Sequence, residues 1–402
     1  MDFSNCGDVT SSSDNGEKSR ICHDGRVLSK FDDFPIHQTP DPISTPSTGE
    51  KDFYERYWFN GYSKAGDMYL GVGTARYPHL GIQDCGISIV HNGVQHAFHA
   101  SARANAEPSE LSVGPFNLEI TEPMKACRVV LAPNDTDFAA DLAFEARTAA
   151  IEEPRHHWSD GSRRIMDTTR FTQFGRWHGW IEYDGQRMDI DRTQTYGTKD
   201  RSWGVRPVAG GDSRGAPQPP VAMGLFFLWA PLHWDDMCSH YQLFEDTLGR
   251  PRFHVGAFLP AYDSLADNPG VEDPGVEPMH RLEHQLEFEP GNRMIKSAAL
   301  AMTSLEDDAR HEIVFDKQFT YRMKGIGYSH PIWPHGAWKG ELAMAAERWK
   351  LADVDETAFE NQHVQHLMKV RMGERQGIGV LEQSIFGPYR PYGLTGHIAP
   401  PG

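Results

Sequence analysis

The sequence predicts a mainly β protein with two antiparallel barrel or sandwich domains and a few helices near the C-terminus. Many short segments alternate apolar and polar residues with a period of two, which is typical of strands that have one buried face. Turn sequences such as His91-Asn92-Gly93 and Pro133-Asn134-Asp135 separate these segments. The chain has 402 residues, of which 39% are hydrophobic, so it is long enough for two such domains.

The elements follow one another in a regular order. Residues 1–50 are rich in Ser, Asp, Thr and Pro, and we expect a partly disordered lead-in. Strand patterns then fill a first domain at 51–205 and a second domain at 206–402. Only ELAMAAERWKLADV (341–354) and FENQHVQHLMKVRMG (359–373) combine good helix formers with apolar spacing near 3.6, and we predict helices there.

Charge and cysteine content narrow the partners and the compartment. The net charge of −17 argues against nucleic acid, because a polyanion repels an acidic protein. The five scattered cysteines form no disulfide or zinc pattern, which fits a reducing compartment. No apolar run reaches the length of a bilayer span, and the polar N-terminus lacks a secretory signal. We therefore expect a cytoplasmic protein without membrane insertion, and a homodimer is left open.

The first candidate site is KDRSWGVRP (199–207). In a strand, Arg201 and Trp203 project to the same side, where a guanidinium beside an indole can bind an oxyanion and a flat ring. Asp200 projects to the other side, and we assign Asp200 and Arg206 to structural support. The alternative is that the whole segment forms a structural ion pair with a packed tryptophan.

Two further segments supply histidines and aromatic residues. In FFLWAPLHWDD (226–236), His233 follows a proline that interrupts the strand, and it is a candidate acid or base, although such a residue is often simply packed. YSHPIWPHGAWKGEL (328–342) contributes a second candidate, His335. Tyr57 is a further candidate proton donor. We expect the substrate to contact Trp58, Phe227, Trp229, His330 and Trp333. The spacing of these histidines does not predict a metal site, and no motif predicts a cofactor.

The segments FYERYWFNGY, GVQHAFHASAR, TQFGRWHGWIEYDG, YGTKDRSWGVRP and FFLWAPLHWDD carry a family resemblance. They resemble an uncharacterised bacterial family related to the carotenoid 1,2-hydratase and AttH-like, lipocalin-like group. The resemblance covers most of the chain from about Phe53 and implies two lipocalin-like domains with a cavity for long hydrophobic molecules. In carotenoid hydratases the corresponding segment reads His-Asn-Trp, and its His and Trp take part in hydration of an isoprenoid double bond. Arg201 stands where that His would be, and Trp203 matches the Trp.

These observations lead to one preferred function and two alternatives. We expect a cofactor-independent acid–base lyase, a hydratase, dehydratase, isomerase or C–C lyase, acting on a small hydrophobic terpenoid, steroid or lignin-type aromatic molecule. Arginine keeps its proton at neutral pH, so Arg201 would stabilise a negative oxygen while His233, His335 or Tyr57 moves the proton. The first alternative is a carrier that binds a hydrophobic ligand without catalysis. A structural or partner-binding module ranks last.

Overall fold

The computed structural model describes residues 28–36, 41–160, 163–208 and 224–398. Within them, twelve strands of the first half and one strand of the second half form a thirteen-stranded antiparallel sheet, here called sheet A. Its strands run in the order β19-β4-β3-β2-β1-β12-β10-β8-β7-β6-β5, with β9 and β11 paired to β10. The strands of sheet A are β1 (Phe53–Ser63), β2 (Met68–Tyr77), β3 (Ile82–His91), β4 (Val94–Arg103), β5 (Leu111–Val113), β6 (Phe116–Glu122), β7 (Ala126–Leu131), β8 (Ala139–Ala146), β9 (Ile151–Asp160), β10 (Arg163–Tyr183), β11 (Gln186–Ile190), β12 (Thr195–Val205) and β19 (Leu342–Lys350).

The remaining eight strands close into an antiparallel barrel. They are β13 (Leu225–His233), β14 (Met237–Glu245), β15 (Pro251–Pro260), β16 (Glu277–Phe288), β17 (Ile295–Ser304), β18 (Arg310–Arg322), β20 (Val364–Met372) and β21 (Arg375–Phe386). The predicted mainly β class is therefore confirmed, and the predicted turn at Asn92-Gly93 joins β3 to β4 as a two-residue hairpin. Both turn residues have positive φ, 50° and 73°, which is the conformation that Asn and Gly tolerate best.

Apolar side chains fill the interior of each unit. One face of sheet A encloses a core in which Phe59 meets Phe144 and Trp177 edge to face, each with 5.5 Å between ring centroids. The barrel encloses a second core that includes Leu228, Leu300 and Leu381. A third cluster, with Trp58 and Tyr196 from sheet A and Trp229 and Leu367 from the barrel, seals the interface between the two units.

The predicted helices near the C-terminus are wrong. Residues 341–354 contain β19, which pairs with the edge strand β4 of sheet A, and residues 359–373 contain β20 of the barrel. Both segments contain good helix formers, but strand pairing satisfies the open edges of two existing sheets, and tertiary context overrides such propensities. The helical turns of the described residues are all short 3₁₀ turns: η1 (Lys30–Asp33), η2 (Met323–Ile326), η3 (Leu351–Asp353), η4 (Phe359–Asn361) and η5 (Arg390–Tyr392).

The described part of the lead-in packs against sheet A. Asp33, at the end of η1, is fully buried and pairs with the equally buried Lys199 of β12 at 2.7 Å. Residues 1–27 and 37–40 of the lead-in, and the predicted loop at 210–221, lie outside the described residues. No helix in the described ranges is long and apolar enough to cross a membrane.

Candidate functional site

A row of six residues, four of them charged, crosses the face of sheet A that meets the barrel. Each strand contributes one residue, because alternate residues of a strand face the same side and the antiparallel register aligns them across neighbouring strands. Read from β9 to β3 along the register, the row consists of Glu153, Arg170, Ser202, Arg56, Ala75 and Asp84. Its charges lie in the interface between the two units, where water is largely excluded.

Tyr328 lies over the middle of this row, between two arginines. The turn η2 ends at Gly327, whose φ of 100° reverses the chain and leads directly into Tyr328. The guanidinium carbon of Arg56 then lies 4.7 Å from the centroid of the Tyr328 ring. Arg206 Nη1 donates to the Tyr328 hydroxyl at 3.5 Å. We call Tyr328, Arg56, Arg206, His335 and His363 the Tyr328 cluster.

The two arginines change the acidity of this phenol. Burial by itself would raise the pKa of Tyr328, but the charges of Arg56 and Arg206 and the hydrogen bond from Arg206 outweigh it. The pKa of Tyr328 therefore lies below its ordinary value, whereas burial raises the pKa of Tyr77 beside it. Positive charge stabilises the phenolate, so Tyr328 is poised to exchange a proton.

Two histidines flank the phenol ring. His335 meets it edge on, with 4.7 Å between centroids, and His363 approaches from another side at 4.5 Å. His363 Nε2 is hydrogen-bonded to Glu382 Oε1 at 2.7 Å. Burial and the charges of Arg56 and Arg206 hold the pKa of His335 well below its ordinary value, so this imidazole is neutral at neutral pH.

A small cavity adjoins His335. Its volume is about 10 Å³, and its lining includes Asp84, His99, Trp333 and His335. A space of about this size can hold one water molecule. His335 Nδ1 and Asp84 Oδ2 are 3.9 Å apart, beyond direct hydrogen bonding, so a water at this position could link them. Burial raises the pKa of Asp84 to about 6.

The guanidinium group of Arg56 is buried but makes no hydrogen bond within the described ranges. Its residue exposure is 1%, and its Nε, Nη1 and Nη2 atoms all lack a hydrogen-bond partner. A Cβ atom at Gly73 would lie 3.2 Å from Arg56 Nη2, so the glycine gives the guanidinium the room it occupies. Unpaired N–H groups of a buried cation are costly, and a bound oxygen-bearing ligand would satisfy them.

One other group of side chains has the composition of a metal site. His99, His330 and Glu347 bring their donor atoms within 4.8 Å of one another. However, the backbone N–H groups of Ile332 and Trp333 both donate to His330 Nδ1 at 2.9 Å, so the proton of His330 lies on Nε2. That Nε2 donates to Glu347 Oε1 at 2.6 Å. The arrangement is a hydrogen-bonded link that fastens the 327–341 loop to β19, and it leaves His330 without a lone pair for a metal.

The interface collects seven of the residues that the sequence singled out. His335 and Arg206 belong to the Tyr328 cluster, and Asp200 lies near Arg170, with 3.5 Å between Asp200 Oδ2 and Arg170 Nε. Trp333 stacks on His99 at 5.9 Å and lines the small cavity. The interface cluster of aromatic residues contains Trp58, Phe227 and Trp229. Asp200 and Arg206, expected as structural support, thus border the candidate site.

Arg201 and Trp203 project to the same side of β12, and Tyr57 of β1 lies opposite Arg201 on that side, but it is the face of sheet A that points away from the barrel. Arg201 is fully buried; its Nη2 donates to the Glu55 carboxylate and, at 3.2 Å, to the Phe34 carbonyl oxygen. Its guanidinium carbon lies 4.5 Å from the Tyr57 ring centroid and 5.2 Å from that of Trp203. The expected hollow in front of Arg201 is thus occupied by the protein itself, and this placement favours a structural role.

His233 and His330 are both held by several contacts. His233 stacks on Tyr196, with 4.3 Å between centroids, and its Nε2 donates to the Gly197 carbonyl oxygen at 3.0 Å. Arg147 Nη1 donates to His233 Nδ1 at 3.1 Å, so both ring nitrogens are engaged. His330 belongs to the link with Glu347 described above. The catalytic and binding roles assigned to these residues stay predictions.

Sequence reasoning missed most of the Tyr328 cluster. Tyr328 and Arg56 lie in segments rich in aromatic residues, but nothing in their spacing showed that they meet. The charged residues near the cluster were missed for another reason. Arg170, Glu153 and Glu382 each stand alone in a segment that alternates polar and apolar residues, where a charged side chain normally faces solvent. One signal was available in the sequence. Arg56 has the same parity in β1 as Trp58 and Tyr62, and a charged residue that shares a face with large aromatic residues is seldom exposed to solvent.

Comparison with known proteins identifies the family and supports the fold. A family model described as Family of unknown function (DUF8625) matches residues 28–395, and the chain belongs to that family. A search of curated proteins finds no match. Among solved structures, a protein described as an AttH from Nitrosomonas europaea is 10% identical with a TM-score of 0.52, over 90% of this chain and 97% of that one. Kievitone hydratase from Nectria haematococca is 12% identical with a TM-score of 0.46, over 82% and 88%. The likeness to the AttH structure supports the predicted relation to that group at the level of fold alone.

Proposed function

We propose that this member of DUF8625 is an acid–base lyase with a hydrophobic substrate. It adds water to a carbon–carbon double bond conjugated to a carbonyl group, or forms that double bond by removing water. The observation that supports it is Tyr328, a largely buried phenol held between the guanidinium groups of Arg56 and Arg206. The proposed substrate is a terpenoid, steroid or lignin-type aromatic molecule. The aromatic side chains of Trp58, Phe227 and Trp229 would contact the carbon skeleton.

Charge stabilisation is assigned to Arg56. Hydration of a double bond conjugated to a carbonyl group passes through an enolate, whose oxygen becomes negative. Arg56 has three unpaired nitrogens in a buried setting, where a fixed positive charge is worth far more than in water. It would hold the carbonyl oxygen of the substrate and the enolate oxygen that forms from it.

Proton transfer is assigned to Tyr328 and His335. The oxygen of a water molecule bonds to the β-carbon while neutral His335 takes one of its protons, and the carbonyl π electrons move to the oxygen as an enolate. Tyr328 then gives its proton to the α-carbon, and the proton on His335 returns to Tyr328. The two rings are neighbours, with 4.7 Å between centroids, and the small cavity beside His335 has room for the water. Dehydration follows the same steps in reverse.

The experiment is incubation of the protein with conjugated ketones of the three substrate classes in ¹⁸O-labelled water, with products identified by mass spectrometry. We expect one class to gain labelled water. Tyr328→Phe should lower the rate by about 100-fold or more, because a positioned general acid contributes about 10²–10⁴. The control Tyr241→Phe removes a buried hydroxyl that donates to the Glu283 carbonyl oxygen in the barrel, and it should leave the rate unchanged.

Two results would contradict the proposal. Full activity of a folded Tyr328→Phe variant would remove the phenol from the chemistry. Recovery of a bound ligand without any labelled product, in every class, would favour the alternative of a binding or carrier protein.

A further inference from the structure

The small cavity beside His335 is lined by a carboxylate as well as by an imidazole. Asp84 comes from β3 and His335 from the 327–341 loop, and both line this space of about 10 Å³. Each side chain is 13% exposed, so a small solvent molecule can touch both. The 3.9 Å between Asp84 Oδ2 and His335 Nδ1 is too long for a direct hydrogen bond but suits a bridging water. The proposed chemistry uses His335 as the base and gives Asp84 no part.

The backbone of the same loop fixes the Asp84 carboxylate. The N–H of Gly336, the residue after His335, donates to Asp84 Oδ2 at 2.7 Å. An ionised carboxylate has acceptor positions for several hydrogen bonds. Asp84 can therefore accept from Gly336 and from a molecule in the cavity at the same time.

The two side chains select the molecule that fits between them. His335 is neutral at neutral pH, and as a base it accepts a hydrogen bond on the Nδ1 that is near Asp84. The Asp84 carboxylate also accepts, so the group between them must donate twice. A water molecule has an O–H for each acceptor, and the cavity has room for one. An anion would be repelled by the carboxylate.

We propose that Asp84 binds the water molecule that adds to the substrate, and that it then binds the hydroxyl group that this water becomes. This inference rests on the proposed function and defines its product as a ketone with a hydroxyl group on the β-carbon. One hydrogen of the water goes to His335 as the oxygen bonds to the β-carbon. The other hydrogen stays on that oxygen and donates to Asp84. In dehydration, Asp84 holds the hydroxyl group that leaves.

The spacing along the charged row is compatible with one small ketone. Asp84 and Arg56 lie two strands apart through Ala75, which separates their backbones by roughly 10 Å at a strand spacing of ~4.8 Å. Only three carbon atoms separate the carbonyl oxygen from the hydroxyl oxygen of a β-hydroxy ketone. A carbonyl oxygen at Arg56 and a hydroxyl group at Asp84 can therefore belong to the same molecule.

Two probes that differ only at the hydroxyl group test the inference without turnover. They are 2,2-difluoro-3-hydroxy-1,3-diphenylpropan-1-one and 2,2-difluoro-1,3-diphenylpropan-1-one, which have no α-hydrogen and so cannot lose water. By calorimetry at pH 8, the wild type should bind the hydroxy ketone about tenfold or more tightly, because its hydroxyl group donates to a charged acceptor. Asp84→Asn should lose most of that preference, since the negative charge is gone.

The preference should also shrink at pH 5 without any mutation. Burial raises the pKa of Asp84 to about 6, so the carboxylate is largely protonated at pH 5. Burial keeps the pKa of Tyr77 high and that of His335 well below its ordinary value, and it lowers the pKa of His99, so these groups stay mostly neutral. The titratable and charged groups around Asp84 are Arg56, Tyr77, His99, Arg206, His335 and Lys339.

The labelled-water assay gives a second readout. The rate of the wild type should rise between pH 5 and pH 7 as Asp84 ionises. Asp84→Asn should be about tenfold or more slower at pH 7 and should lack this rise. The control is Asp273→Asn, in the loop between β15 and β16, where the carboxylate accepts from the Gly275 N–H at 2.8 Å. It should leave the probe preference and the pH profile unchanged.

The probes decide the inference separately from the proposed function. Equal affinity of the wild type for the two probes, no binding of either, or an unchanged preference in a folded Asp84→Asn variant would each overturn it. Labelled product formed with an unchanged pH profile in Asp84→Asn would also overturn it, while leaving the proposed function in place. If no substrate class gains labelled water, the proposed function fails, and the probe preference still decides whether Asp84 binds the hydroxyl group.

Discussion

Positive charge around a phenol allows it to give up a proton closer to neutral pH, and at Tyr328 that charge comes from two arginines. Arg56 lies under the ring on β1, and Arg206 donates to the hydroxyl just beyond the end of β12. Neighbouring tyrosines without this arrangement behave in the opposite way, since burial raises the pKa of Tyr62 and Tyr69 well above the ordinary value. The difference between these phenols comes from charge and not from depth of burial.

Arg201 should contribute to stability rather than to turnover. Arg201→Ala would break the buried ion pair with Glu55, and breaking such a pair costs about 3–5 kcal/mol. We expect a clear fall in the free energy of unfolding, measured with denaturant. Arg201→Met combined with Glu55→Met removes both charges and should recover much of that stability together with activity. A stable but inactive double variant would return Arg201 to the catalytic role that its sequence context indicated.

His366 should make the protein less stable in acid. It is fully buried in the barrel wall, where its Nε2 pairs with Gln383 Oε1 at 2.9 Å. Burial and the charge of Lys317 lower its pKa to about 3. In the unfolded chain His366 binds a proton below about pH 6.5, whereas in the folded chain it stays neutral down to a much lower pH. The free energy of unfolding therefore falls as the pH drops below about 6.5. The part due to His366 is roughly 2 kcal/mol at pH 5.

The measurement is unfolding by denaturant at pH 7 and pH 5. His366→Gln should lose less stability between the two values than the wild type does. His178→Gln, at a side chain that is 40% exposed, should behave like the wild type. If His366→Gln shows the full loss of stability, the charging of other groups must cause it.

At the scale of elements, β19 anchors the loop that carries Tyr328 and His335. Glu347 of β19 accepts hydrogen bonds from His330 at 2.6 Å and from His99 of β4 at 3.0 Å. Although burial acts to raise it, these bonds lower the pKa of Glu347 to about 2. The link is therefore intact at neutral pH and weakens only as the pH falls from the ordinary value of a glutamate toward 2.

Glu347→Ala should loosen this loop. We expect amide hydrogen exchange across residues 327–341 to become about tenfold faster, since a lost hydrogen bond to a charged group costs about 1–3 kcal/mol. Glu341→Ala breaks only the exposed pair with Arg103 and should leave the exchange rates unchanged. Unchanged exchange in Glu347→Ala would show that other contacts hold the loop.

The strands were predictable from sequence where local patterns decide them. Period-two alternation and turn residues gave most of the strands, and Asn92-Gly93 gave its hairpin. The segments of β19 and β20 were predicted as helices because they contain good helix formers. They become strands because they pair with strands that are distant in the sequence. β19 pairs with β4 across more than two hundred residues, and no local pattern encodes such a pairing.

At the scale of the whole molecule, the candidate site exists only because two units meet. Glu153, Arg170, Arg56 and Asp84 come from four strands of sheet A, Glu382 comes from β21 of the barrel, and Tyr328 comes from the connection between β18 and β19. The sequence singled out the polar segment around Asp200 and the aromatic loop around His335, and both segments border the candidate site. It could not show which face of β12 met the barrel, because that depends on the packing of two complete sheets.

The resemblance predicts a ligand site inside a barrel, whereas the candidate site lies between sheet A and the barrel. The apolar packing of the barrel interior explains this difference. A lipocalin-like resemblance implies a ligand inside a barrel, but apolar side chains such as Leu228, Leu300 and Leu381 fill this barrel. The unpaired guanidinium nitrogens of Arg56 lie instead on the face of sheet A that is turned toward the barrel. A ligand that satisfies them would lie in this interface.

The most direct test of the account is a titration of tyrosine ionisation by ultraviolet absorbance, with wild type and Tyr328→Phe compared under native conditions. The account predicts that the wild type ionises a tyrosine below the ordinary pKa of 10 that the variant lacks, and that Arg56→Gln moves this ionisation to higher pH. Curves for wild type and Tyr328→Phe that superimpose below pH 10 would contradict it.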